Sequence, residues 1–251
     1  MRGAGVVNKV MIPAAFWALV WVFASMLVGS ELLLPGPWKV ICTLSELVLT
    51  ADFWRAAGLT LLRIFAGMVI GVVLGSVIAV LTCASVWCDR ILSPAVKVVR
   101  AAPVASFILL VLLWVATGRV PVVISALMVL PVIWGNVAKG IRSADPQLLE
   151  FAVAYRFSRG KTARLVYLPA AAPYFAAGVE TSLGLAWKAG VAAEVLCHPK
   201  LAVGTGVYLS YMNLETPELF AWTLVVILLS FLVESVLVRF LRKAVRGYGA
   251  T

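Results

Sequence analysis

The stretch LTLLRIFAGMVIGVVLGSVIAVL, Leu59–Leu81, holds a single charge, Arg63, among residues that are apolar, small or hydroxylated. About 20 such residues in an α-helix cover the roughly 30 Å hydrocarbon core of a bilayer, so this run reads as a transmembrane span. Gly67, Gly71 and Gly75 recur every fourth residue on one of its faces, which lets another helix approach closely. The spacing leaves open whether that helix belongs to the same chain or to a second copy.

Working outward, comparable runs occur at Val10–Gly29, Val96–Ala116, Val120–Val137, Ala171–Leu196 and Leu219–Val238, which makes about six spans. The first is too long for the apolar stretch of a cleaved signal peptide and is expected to stay as a span. Pro121 and Pro131 are expected to bend or break the fourth. Of 251 residues, 63% are hydrophobic and 13% charged, and the mean hydropathy is +1.04. A soluble globule of this size could not hide that much apolar surface in one core. A disordered chain, a collagen, a disulfide-stapled secreted module and a conventional cytosolic enzyme are excluded on the same figures. The chain is an all-α polytopic membrane protein.

The net charge of +10 lies between the apolar runs, which fits basic loops beside an anionic membrane face and not a nucleic-acid surface. With the N-terminus inside, Arg2, Lys9, Arg90, Lys97, Arg100, Lys139, Arg142, Arg156, Arg159, Lys161, Arg164, Arg239, Arg242, Lys243 and Arg246 all fall on the cytoplasmic side. The outer side keeps Lys39, Arg55, Arg63, Arg119 and Lys200, with Lys188 inside a span. Both termini are therefore expected in the cytoplasm. Trp38, Trp54, Trp114 and Trp222 then mark the outer boundary and Trp87 the inner one. Residues Leu33 to Trp54 leave room for a turn and a short surface helix. Without a long linker, low-complexity segment or internal repeat, residues 1–251 form a single domain. Cys42, Cys83, Cys88 and Cys197 lack CxxC spacing, and the lone His198 supplies neither a metal cluster nor a hydrolytic set.

The longest polar interruption runs from Lys139 to Pro169. Asp145 before Pro146 gives a helix cap and a proline in the first turn, after which Leu148, Leu149, Ala152 and Tyr155 share one face. Ser158 and Gly160 offer a turn, residues 161–167 can resume as helix, and Pro169 with Pro173 resets the backbone at re-entry. An exposed apolar stripe on such a helix-turn-helix needs a partner surface.

Glu150-Phe-Ala152, Ser158-Arg159 and Leu168-Pro169 resemble the EAA loop of binding-protein-dependent ABC importer permeases of type I, without gaps in spacing. Thr60-Leu-Leu-Arg63-Ile-Phe-Ala-Gly67, Ala101-Ala-Pro103, Gly184-Leu-Ala-Trp187 and Ala192-Ala-Glu194 extend the resemblance toward the nitrate, sulfonate and taurine branch. It covers roughly Leu59 to the C-terminus, with a permease core at about 59–243. It implies a coupling loop at about 143–169, with Asp145, Leu149, Glu150, Ala152, Tyr155, Ser158, Arg159, Gly160, Leu168 and Pro169 seated on a separate cytoplasmic ATPase. It further implies two such ATPase subunits, an extracytoplasmic solute-binding protein, a second permease copy as a homodimer, and a bacterial plasma (inner) membrane. ATP and Mg would be held by the partner, with no cofactor in this chain. Phe151 departs from the family's small residue. Arg156 stands where a glycine is expected, which shifts the expected sharp turn to Gly160.

Arg159-Gly160-Lys161-Thr162 mimics the end of a phosphate-binding loop, but the earlier glycine position is Tyr155 and no strand is expected before it. Ionisable groups within spans are costly, so Arg63, Glu180, Lys188 and Glu194, with Asn136 as a hydrogen-bonding group, are pathway candidates. Glu180 and Lys188 are about 12 Å apart along a helix and cannot pair directly. For an anionic solute Arg63 and Lys188 supply attraction. These same groups keep open an alternative, an ion-coupled secondary transporter, while a membrane scaffold would need neither loop nor pathway. Gly204-Thr-Gly206 is expected to make a turn, and Arg239 to Arg246 a cytoplasmic anchor.

Overall fold

The computed structural model describes residues 3–246, all helix and connecting turn. Arg2 and the side chains of Lys9, Arg242, Lys243 and Arg246 lie outside the described residues. The helices are α1 (Gly3–Val28), α2 (Pro37–Val48), α3 (Ala51–Ala84), α4 (Val86–Ala101), α5 (Val104–Leu112), α6 (Val120–Arg142), α7 (Pro146–Ala154), α8 (Arg159–Thr162), α9 (Leu168–Cys197), α10 (Val203–Met212) and α11 (Thr216–Arg246). A 3₁₀ turn, Thr117–Arg119, leads into α6, and a π segment, Ala163–Tyr167, joins α8 to α9. The stretch expected to hold a turn and a short surface helix contains α2.

Helices α3, α6 and α9 form the centre. Ile64 and Met68 of α3, Val129 and Ile133 of α6, and Leu183 and Trp187 of α9 interlock there. The glycine stripe makes this possible, and it serves the chain's own packing. A Cβ built on Gly67 would stand 2.3 Å from the Val122 carbonyl oxygen. On Gly71 and Gly75 it would stand 2.7 Å from the carbonyl oxygens of Ala126 and Leu130. Backbone therefore lies against backbone over two turns of α3 and α6, closer than any side chain permits. Ile108 and Val111 of α5 pack on Val120, Ile124 and Ala193, and Phe53, Val203 and Trp222 close the end nearest α2.

Four expectations need correction. The third run is not one span: α4 and α5 meet at 105°, because Pro103 holds Ala102 extended (φ −79°, ψ 143°). The run's first residues belong to an amphipathic helix, and only α5 continues inward. The prolines do not break α6. Pro121 sits in its first turn, where no N–H is needed, and the helix continues through Pro131. Trp222 is not an interfacial indole, since it is buried, stacked at 5.4 Å on Phe53, and donates Nε1–H to Glu218 at 3.0 Å. Gly204 and Gly206 lie in α10, not in a turn.

Among the described residues α1, α3, α6 with its leading turn, and α11 are each long and apolar enough to cross a membrane, and α4 with α5 qualifies only as a bent pair. Helix α9 is not among them. Its 30 residues, about 45 Å, are long enough, but it carries Glu180, Lys188 and Glu194 and is flanked by α3, α5, α6, α10 and α11. Helix α1 touches the rest near its C-terminal end, where Trp21 stacks on Phe220 at 5.9 Å and donates to the Pro35 carbonyl at 3.1 Å.

Candidate functional site

At the end of α6 opposite the α2 surface, the chain builds an elbow. Asp145 caps α7, its Oδ1 accepting the Gln147 N–H at 2.8 Å, with Pro146 in the first turn. The other end of α7 closes by two backbone bonds, Phe157 N–H to the Ala152 carbonyl (2.8 Å) and Arg156 N–H to the Val153 carbonyl (3.0 Å). This pair is a Schellman closure, and its left-handed position is occupied by Arg156 at φ +51°. The sharp turn thus stays at Arg156. Gly160, expected to take it over, is inside α8. The geometry of the turn survives a residue that disfavours it, at a cost of roughly 1 kcal/mol.

Ser158 then caps α8, accepting from Lys161 N–H at 3.4 Å. Lys161 rests over the Phe157 ring at 3.9 Å, so the Gly-Lys-Thr sequence is an α-helical turn and not a phosphate cradle. Pro169 cannot donate to the carbonyl four residues back, and the helix widens into the π segment just before it. Ala152 is buried and Leu149 half-buried, whereas Leu148, Phe151, Val153 and Tyr155 project outward. Val153 is 78% exposed, and Phe151 stacks on Tyr155 at 4.2 Å to form an aromatic ridge. Glu150, Arg159 and Leu168 are also exposed.

The pathway candidates separate into three groups. Arg63 and Glu194 come together toward the α2 end of the bundle, 3.3 Å apart, with side chains 15% and 0% exposed. Thr60 donates to Glu194 Oε2 at 2.8 Å, and the Gly204 amide donates to the same oxygen at 3.2 Å. Arg63 also donates to the Leu201 (3.1 Å) and Lys200 (3.0 Å) carbonyls, while Thr60 Oγ1 accepts from Val203 N–H at 3.0 Å. The cluster locks α3, α9 and the connection to α10, where His198 and Leu201 both take left-handed backbone (φ 49° and 51°). The sequence marks Thr60 only within a family-like stretch and Gly204 only within an expected turn, neither as a partner of Glu194. A Cβ on Gly204 would lie 2.5 Å from that of Glu194, so only glycine brings this amide to the carboxylate.

Asn136 is half-buried, donates to the Val132 carbonyl at 2.8 Å, and packs against Gly178. Glu180 and Lys188 instead lie on an open strip of α9, shared with Ala177, Thr181, Gly184 and Ala192. Nothing in the chain approaches within 4 Å of a Cβ at Gly184. The structure therefore joins Arg63 to Glu194 and does not join either to Lys188.

Residues 71–247, a segment that includes the elbow and α9, match the family described as the binding-protein-dependent transport system inner membrane component. The chain belongs to this family. It is the membrane-spanning permease of an ABC importer, a multi-pass inner-membrane protein and not itself an enzyme. The permease is 29% identical over 193 residues to the putative aliphatic sulfonates transport permease protein SsuC of Bacillus subtilis, covering 76% of this chain and 70% of that one. The protein of the same description in Escherichia coli is 30% identical over 199 residues, 76% and 75% of the two chains. The taurine transport system permease protein TauC of Escherichia coli is 25% identical over 221 residues, 85% and 80%. Permeases of this kind work with ATP-binding and substrate-binding proteins, and the ion-coupled alternative finds no support.

Proposed function

We propose that this permease forms the path for a small anion of the nitrate, sulfonate or taurine kind, driven through the elbow by a separate ATPase. The observation that carries the reading is the ridge of Leu148, Phe151, Val153 and Tyr155, held by a cap at one end and a Schellman turn at the other, yet left exposed among the described residues. Two permease copies, two ATPase subunits holding ATP and Mg, and an external binding protein complete the assembly, with the elbow and both termini in the cytoplasm. This chain needs no cofactor of its own. Closure of the two ATPases draws the two elbows together, and the helices rock between inward-facing and outward-facing forms.

Lys188 on the open strip of α9 attracts the anion at the depth of the bilayer, with Glu180 on the same strip setting charge selectivity. Arg63 and Glu194 belong to the frame and not to the path. The test is Glu150→Arg, which puts a positive charge on the elbow: the variant should insert normally but fail to capture the ATPase. Full capture and full uptake would refute the docking role, and uptake that outlasts ATP depletion would return the ion-coupled mechanism.

A further inference from the structure

Helix α4 has a role that transport does not require of it. Its exposed sector carries Trp87, Ile91 and Val98 along one flank and Arg90 and Lys97, with Val86 at the start of the helix, along the other. The two flanks are about a quarter-turn apart at 100° per residue. The one carboxylate of α4, Asp89, is turned away from that sector: it accepts a hydrogen bond from Ser93 and lies 3.9 Å from Arg142 at the end of α6. The outward sector is left cationic and apolar, without a counter-charge of its own.

The surroundings fix the level of this sector in the bilayer. Exposed apolar side chains continue down α3 through Val77, Val80 and Leu81 and then pass directly to Val86 and Trp87. The exposed apolar surface of α3 thus leads to the start of α4. The 105° bend at Ala102 and Pro103 sets α4 across the direction of α5. Arg90 lies over the Trp87 ring at 5.6 Å, a pairing of cation and indole suited to the boundary between hydrocarbon and headgroups.

We infer that α4 lies in the headgroup layer of the membrane and binds anionic phospholipid, with Trp87, Ile91 and Val98 inserted among acyl chains and Arg90 and Lys97 on the lipid phosphates. The site takes membrane phospholipid, not a soluble anion, because the phosphate-binding flank and the acyl-binding flank are on one helix face. Only the naming of the inner leaflet rests on the orientation proposed above; the lipid preference does not.

The test uses the purified permease assembled with its ATPase subunits, in nanodiscs of phosphatidylcholine alone or with phosphatidylglycerol. Native mass spectrometry should find phosphatidylglycerol retained in preference to phosphatidylcholine. Arg90→Gln with Lys97→Gln should weaken that preference about fivefold for each charge removed. Arg119→Gln, an equal loss of charge from an exposed residue elsewhere, should leave it intact. Equal retention of both lipids, or an unchanged preference in the double variant, would each overturn the inference. Labelling of a cysteine placed at Arg90 by an impermeant external reagent would move the site to the other leaflet and refute the proposed orientation, with the lipid preference unchanged.

Discussion

The two ends of the bundle handle polarity in opposite ways. At the end near α2 a charged pair, Arg63 and Glu194, is withdrawn from solvent and partnered. At the elbow, aromatic and aliphatic side chains stand out from the protein with few partners. A conventional reading would assign function to the buried charges and structure to the apolar residues. Here the satisfied charges hold three helices together, and the unsatisfied apolar ridge is the part still waiting for contact. Whether a group's interactions are complete within the chain is a better guide to its role than its polarity.

The contrast is breakable at several points. The largest effect is expected from Glu194→Ala, which strands Arg63 in a site where it is 15% exposed and frees two further donors. Thermal unfolding of the purified permease should show a loss of about 3–5 kcal/mol. A variant as stable as the parent would mean that the charged cluster is not a lock. Next comes Phe151→Ala, with an expected loss of about 2 kcal/mol in affinity for the ATPase subunit and no change in the permease's own unfolding. If instead the melting temperature falls and ATPase titration is unaffected, the ridge packs inside the protein and the distinction between the two ends disappears.

Thr60→Val sharpens the comparison at the end near α2. It removes one donor to Glu194 and leaves the Val203 amide without its acceptor, for about 1–2 kcal/mol. Hydrogen exchange at Val203 and Gly204 should accelerate while the amides of α7 keep their protection. The smallest effect is Arg156→Gly, which relieves the left-handed backbone and should slow exchange of the Phe157 amide by about 0.5 kcal/mol equivalent. Faster exchange there would show that the arginine side chain holds the turn.

Local grammar made much of this legible in the sequence. Asp145 before Pro146 fixes where α7 starts, because a side-chain acceptor and a residue without N–H suit only a helix's first turn. Five of the six apolar runs correspond to long helices, since hydrocarbon thickness dictates their length. The broken run was signalled by Pro103, whose effect on Ala102 was masked by hydrophobic residues on both sides. The charged lock was hidden for a different reason. Thr60, Arg63, Glu194 and Gly204 are brought together by the packing of α3 on α9, over a separation of more than a hundred residues, and no local pattern encodes that. Arg156 illustrates a third limit: the backbone retains the shape a glycine would prefer, so residue type alone misplaces the bend.

One consequence follows from the wide turn at Ala163–Tyr167. From Arg159 to Cys197 the backbone coils without a gap, so α8, the second half of the elbow, and the helix that carries Lys188 are a single piece. A displacement of α8 therefore meets no break in the coil before it reaches Lys188. The π coil is the one place where that piece is locally underwound, and it sets the angular offset between α8 and α9.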